Sequence, residues 1–295
     1  MNYPKSSRFR ISLLGVLLTM SACTQTAFVA ANLPTHFDST AVVQDRAYGP
    51  DPTQKLDLYI PADNTKKPFE VVVFFYGGRW TYGAKEDYRF VGSTFANRGF
   101  LAVIPDYRKY PQVRFPAFME DGAKALSWVY DHIAELHGNP TRIHVVGHSA
   151  GAHIGALVTA DPRYLADEGK DRSIVIHDFA GLAGPYAFTP DEPDLEDMFG
   201  PPQNYPNMQI TTFIDGTQPP MLLLYGNKDT AVKRANLEKL KQRIMQRGGC
   251  VHSQIYSDAN HTDLVGALTW WNLKALPVVD DIIRFFLSCN QTIAE

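Results

Sequence analysis

Apolar residues gather in short unbroken runs at Val71 to Phe75, Leu101 to Ile104, Ile143 to Val146 and Met221 to Tyr225. Such runs, without polar alternation, predict strands buried on both faces. Ile174 to Phe179 and Ser253 to Tyr256 are further strand candidates. Between the runs lie segments of helical character at about Tyr88 to Arg98, Pro116 to His137, Ala152 to Ala160 and Lys233 to Gln246, and Val278 to Leu287 reads as a closing helix. Near the start, Asp45 to Tyr48 and Gln54 to Ile60 alternate across a GPDP turn, the pattern of an antiparallel hairpin. Strands alternating with helices after an antiparallel start predict an α/β fold, a mostly parallel sheet of about eight strands covered by helices on both faces.

One segment breaks this rhythm. Gly184 to Pro220 is rich in proline and acidic residues and reads as an irregular, lid-like insertion leaving one strand end for the next. With 295 residues, 45% hydrophobic and 20% charged, the chain has ample material for one large core. Residues 41–295 are expected to form that domain.

The first residues differ in kind. Lys5, Arg8 and Arg10 precede the apolar ISLLGVLLTM and the small pair Ser21 and Ala22, the layout of an export signal over 1–22 and too short to span a membrane comfortably. Leu18 to Cys23 resembles a bacterial lipoprotein box, which implies a lipid on Cys23, a membrane-anchored protein facing the periplasm or cell exterior, and a small polar tether over 23–40. Simple secretion with cleavage nearby is the alternative. Without residues 1–22 the chain carries 25 Lys plus Arg against 31 Asp plus Glu, a net charge of −6 that courts no nucleic acid. Cys250 and Cys289 would then share an oxidising compartment, as a disulfide or as two thiols. No Cys and His spacing resembles a zinc site, and no metal or organic cofactor is expected.

The chemistry centres on Gly147, His148, Ser149, Ala150, Gly151, which join the strand IHVV to the helical AHIGALV. Strand, G-x-S-x-G turn and helix together describe a nucleophile held on a strained turn, with the Ala150 amide beside its hydroxyl. The blander reading makes Ser149 a helix N-cap, a role that requires neither glycine.

A serine hydroxyl needs a histidine to take its proton and a carboxylate to hold that histidine's tautomer. His148 and His153 flank the serine too closely to face it. His36 lies in the tether, His132 and His137 on the long helix, His144 and His177 within strands, and His252 at the start of the last strand. His261 follows that strand in the polar loop SDANHTDL and is the candidate base. Asp229, just past the strand MLLLYG, is the candidate acid, with Asp258 and Asp263 as competitors close to His261.

At these residues the chain resembles the α/β-hydrolase superfamily, in the esterase and lipase branch related to hormone-sensitive lipases, kynurenine formamidases and feruloyl or acetyl-xylan esterases. The resemblance runs from about Val42 to Leu287 and rests on LDLYIP, the GG-x-W turn, PDYR, FPAFMED, GHSAGAH and the loops of Asp229 and His261. It implies a carboxylesterase-like serine hydrolase of small-molecule esters. It further implies an oxyanion hole from the amides of Gly78, Arg79 and Ala150, in a loop supported by Tyr76, Gly77 and Trp80. The family's loop usually begins with histidine, so Tyr76 is a departure. PDYR is expected to be structural, with Asp106 and Arg108 tying loops together.

An amide substrate on the same triad, as in the formamidases, is a second reading. A non-catalytic surface binding protein is a third, weakened by the complete candidate triad. Tyr82, Tyr107, Phe115, Tyr186 and Phe199 would suit an aromatic ester, but read more simply as core.

Overall fold

The computed structural model describes residues 25–288; the export segment, Cys23 and Cys289 lie outside them. Eight strands form one sheet in the order β1-β2-β4-β3-β5-β6-β7-β8. These are β1 Ala41–Ala47, β2 Lys55–Ile60, β3 Phe69–Phe75, β4 Leu101–Pro105, β5 Gly138–His148, β6 Asp178–Leu182, β7 Met221–Gly226 and β8 Val251–Tyr256. β1 pairs antiparallel with β2, and β2 with β4; every later pairing is parallel. The sequence pattern follows position in the sheet. β3, β4, β6 and β7 are buried almost throughout, whereas the edge strand β8 alternates between exposed and covered residues.

The helices, in chain order, are α1 at 25–32, α2 Arg89–Ala96, α3 Ala117–His132, α4 Ala150–Ala160, α5 Pro162–Asp167 and α6 Arg172–Val175, followed by α7 Pro193–Phe199, α8 Tyr205–Met208, α9 Ile210–Phe213, α10 Ala235–Gln246, α11 His261–Gly266 and α12 Val278–Ser288. α4 packs on β3, β5 and β6 and touches α3, while α9 bridges α4 and α10. α2 lies on β2, β3 and β4, and Phe286 of α12 reaches Phe100 just before β4.

Three expectations need correction. The tether predicted over 23–40 is, in its described part, α1 and a 3-10 turn at Leu33–His36 docked on the domain. Ala31 and Thr35 are buried there, and Asn32 donates to the carbonyls of Glu86 and Asp87 while accepting from the Phe90 amide. The strand predicted at Ile174 begins later. Asp171 caps α6 by accepting from the Ser173 amide, which commits the β-branched residues to a helical turn, and β6 starts at Asp178. The insertion at 184–220 is not irregular throughout: it contains α7, α8 and α9, with Leu195, Met198, Phe199, Met208 and Ile210 buried. Proline stands in the first turn of α7 and of α8, where its missing amide hydrogen costs the helix nothing.

At the starts of β3 and β6, beside β5, lies a charged cluster with His144 and Asp178 buried at its heart. His144 of β5 donates from Nδ1 to Asp178 at 2.9 Å and from Nε2 to Glu70 at 3.1 Å, and Phe286 stacks on its ring. His177 donates from Nδ1 to the same Asp178, while Arg142 donates to His177 Nε2 and to Glu70. The ligand-type atoms of His144, His177 and Asp178 lie within 4.8 Å of one another. Each is nonetheless spent on a neighbour, and two cations face two carboxylates, so the charges balance without an added ion. Burial alone would lower the His144 pKa, but Asp178 and Glu70 outweigh it and raise it from 6.5 to about 9. A raised folded-state pKa gives stability that is complete below pH 6.5 and lost as the pH climbs through about 9. The contribution is about 3 kcal/mol, so thermal melts should fall by about 5–10 °C across that window. A flat melting temperature there would contradict this account of His144.

Candidate active site

β5 delivers Ser149 to the C-terminal edge of the sheet. Its backbone sits at φ 54°, ψ −121°, a left-handed conformation that costs a non-glycine residue about 1–3 kcal/mol. The Ser149 amide donates to Leu182 O at 2.9 Å, pinning the turn to β6. Ser149 stands at the N-cap of α4, yet its side chain makes no capping bond, so the hydroxyl is not used as a helix cap. The flanking glycines answer to close approach: a Cβ on Gly151 would lie 2.1 Å from Phe75 O, and one on Gly147 would lie 2.5 Å from Gly151 O.

Asp229 and His261 come to the same edge because the loops after β7 and β8 are laced together. Asn227 donates to Tyr256 O and Lys228 to Ala259 O. His261 opens α11 behind Asn260, whose side chain accepts from the amides of Thr262 and Asp263 while Asp263 accepts from the Asn260 amide. That capping box fixes where the imidazole emerges. His261 Nδ1–H donates to Asp229 Oδ2 at 2.8 Å, and Asp229 Oδ1 accepts from the Ala231 and Val232 amides at 2.8 and 2.9 Å. Burial would raise the Asp229 pKa, but the His261 hydrogen bond and those amides hold it below the ordinary carboxylate value. The competing acids are used elsewhere: Asp263 in the cap and on Lys274, Asp258 on Lys228.

Sequence reasoning set His148 aside and missed what it does. Its Nε2–H donates to His261 O at 3.1 Å, tying the residue before the serine to the histidine's own backbone. Burial drives its pKa down to about 3, so the ring is neutral. Nothing in the local sequence marks this tie, which exists only once β5 and the β8 loop meet.

The turn after β3 lies directly against the serine, since a Cβ on Gly77 would stand 3.1 Å from Ser149 Cβ. Gly78, Arg79 and Trp80 all have positive φ, at 126°, 52° and 58°. The Gly78 carbonyl accepts from the Thr81 and Tyr82 amides, while no protein acceptor among the described residues takes the Gly78 or Arg79 amide. Ala150 is the first residue of α4, where a helix amide has no partner of its own.

Tyr76, the departure from the family pattern, is sandwiched between Tyr88 and Tyr107 at 5.1 and 4.9 Å between ring centroids. Its hydroxyl donates to Asp106 Oδ1 at 2.5 Å, and Tyr107 OH donates to Tyr76 O. Asp106 also accepts from the Lys85 amide, so a stacked and hydrogen-bonded tyrosine braces the turn. Arg108 completes the PDYR stretch by forking onto buried Asp121 at 2.7 to 3.1 Å. On the other side Trp80 stacks on Phe188 and meets Phe199 edge-on. The Arg79 side chain reaches outward to Glu192 and Asp194, and Arg114 with Tyr110 holds Asp197, so α7 is fastened beside the turn. A cavity of about 410 Å³ opens beyond Phe115 and Phe199, bordered by Arg114, Arg163 and Tyr164; none of Ser149, Asp229 or His261 lines it.

Comparison with known proteins agrees with this architecture. The BD-FAE family model matches residues 56–179, which include the turn after β3 and the serine. An isoprenylcysteine alpha-carbonyl methylesterase of Arabidopsis thaliana is 28% identical over 255 residues, 78% of this chain and 58% of that protein. Esterase LipC of Mycobacterium tuberculosis is 29% identical over 217 residues, 67% of this chain and 53% of that protein. The chain thus spans about half the length of the curated relatives it matches. Among solved structures, esterase B from Lactobacillus rhamnosis superposes with a TM-score of 0.77 at 18% identity, covering 95% of this chain and 96% of the other. Apo esterase 2 of Thermogutta terrifontis gives 0.69 at 24% identity, covering 86% and 95%. With the eight-stranded sheet and its helices, the structural likenesses show an α/β-hydrolase fold, in a chain similar in sequence to esterases.

Proposed function

We propose that this chain hydrolyses carboxylic esters of small molecules through Ser149, His261 and Asp229. The observation that carries the reading is the Asp229–His261 hydrogen bond at the same sheet edge as a strained serine whose hydroxyl caps nothing. His261 takes the hydroxyl proton as Ser149 Oγ adds to the ester carbonyl. Asp229 holds the proton on Nδ1, leaving Nε2 to act as the base. The oxyanion that forms is met by the amides of Gly78, Arg79 and Ala150, where each donor is worth about 10²- to 10³-fold in rate. His261 returns the proton to the departing alcohol, and water then releases the acid from the acyl-serine by the same steps in reverse.

Esterase names among the relatives support an ester substrate, and the methylesterase among them points to a small alcohol leaving group. The lipoprotein box supports export and a lipid on Cys23, which would hold the enzyme at a membrane outside the cytoplasm. Rates on a short-chain nitrophenyl ester and a matched formanilide test the reading. We expect clear turnover of the ester and a large preference for it; no turnover, or preference for the anilide, would overturn it.

A further inference from the structure

Of the nine large apolar side chains exposed among the described residues, five fall on two adjoining segments: Val29, Leu33 and Phe37 at the N-terminus, Trp270 and Leu273 in the loop after α11. Val29 and Leu33 stand four apart where α1 passes into the 3-10 turn, and Phe37 closes that turn, so the three follow one another as an exposed stripe along this segment. They are 64%, 58% and 83% exposed, while Ala31, Thr35 and Asn32 on the other side engage the domain. Phe28 meets Tyr88 edge-on at 5.2 Å, so the helix is already docked and the outer stripe is not needed to hold it. Trp270 Nε1 donates to Ala30 O at 3.4 Å, which joins the two segments into one surface.

We propose that this surface rests on the lipid bilayer as a second membrane contact, made by the folded domain itself. The choice of occupant rests on the reading of Cys23 as the lipid-bearing residue. Val29 lies six residues beyond Cys23, so even a fully extended link holds the start of the stripe within about 20 Å of Cys23. No Lys, Arg, Asp or Glu occurs between residues 24 and 37, so nothing charged on that segment must be desolvated. Tryptophan is at home where hydrocarbon meets water, as Trp270 would be. No described helix is long and apolar enough to cross a membrane, which fits a surface that lies on the bilayer.

The placement bears on the substrate. α1 is hydrogen-bonded to the turn Lys85–Tyr88, which directly follows the loop of Gly78 and Arg79, and Trp270 follows nine residues after His261. Seating the surface brings the site's rim down beside the lipid, which favours amphiphilic esters that partition into it.

Protein beginning at Thr24, and so free of any acyl group, is mixed with vesicles of phosphatidylethanolamine and phosphatidylglycerol and floated on a density gradient. We expect the wild type to float, and the combined Val29→Ser, Leu33→Ser, Phe37→Ser variant to partition at least about tenfold less well. Its rate on a soluble nitrophenyl ester should be unchanged, which shows that it has folded. Vesicles with brominated acyl chains should quench wild-type fluorescence more than that of a Trp270→Phe variant. A wild type that stays with the soluble fraction, or a triple variant that floats equally, overturns the proposal. Flotation is read apart from activity, and acylation is read separately from the mass of the Cys23 peptide of the full-length chain isolated from cells, so failure of either earlier reading is seen separately.

Discussion

Replacing Ser149 with alanine is expected to lower kcat on a nitrophenyl ester by about 10⁴-fold or more, while changing stability by less than about 0.5 kcal/mol. The two halves follow from one geometry. The hydroxyl makes no capping bond to α4, so removing it costs the helix nothing, and the φ of 54° is imposed by the turn and survives the substitution. If Ser149 were instead an N-cap, alanine would cost about 1 kcal/mol and leave hydrolysis untouched. Kinetics and a denaturant melt on the same variant therefore separate the two roles.

Asp229→Asn should reduce kcat by about 10⁴-fold at neutral pH with little change in KM. The Ala231 and Val232 amides bind Oδ1, and an asparagine can satisfy them only by keeping its carbonyl oxygen there. Its amide nitrogen must then face His261 Nδ1 as a donor. The imidazole proton is forced onto Nε2, the atom that should receive the serine proton, so the site stays assembled in the wrong tautomer. A variant retaining more than about a tenth of wild-type kcat would remove Asp229 from the mechanism.

Much of this was legible in the residues. The runs at Val71, Leu101 and Met221 became interior strands because nothing polar interrupts them, and G-x-S-x-G, Asp229 and His261 were readable as strand ends. What escaped notice depends on contacts between distant segments. β6 hides because Asp178, a polar residue at its start, is there for His144 on the neighbouring strand. α1 looks like a tether because the groups that hold it, Asn32 against Glu86, Asp87 and Phe90, are ordinary polar residues until the domain folds. The helices of the insertion were masked by prolines that read as breakers but stand in first turns. Tyr76 was visible as a departure; its support comes from Tyr88, Tyr107 and Asp106, which lie well beyond it in sequence.

The most direct measurement is the site of attack by a fluorophosphonate, which transfers phosphorus to an activated serine oxygen as fluoride leaves. Tandem mass spectrometry of the labelled protein should find one adduct, on the peptide containing Ser149, formed in step with loss of ester hydrolysis and absent from Ser149→Ala. Hydrolysis that persists with Ser149 fully labelled, or inactivation with the adduct on another residue, would contradict the assignment of Ser149 as the nucleophile.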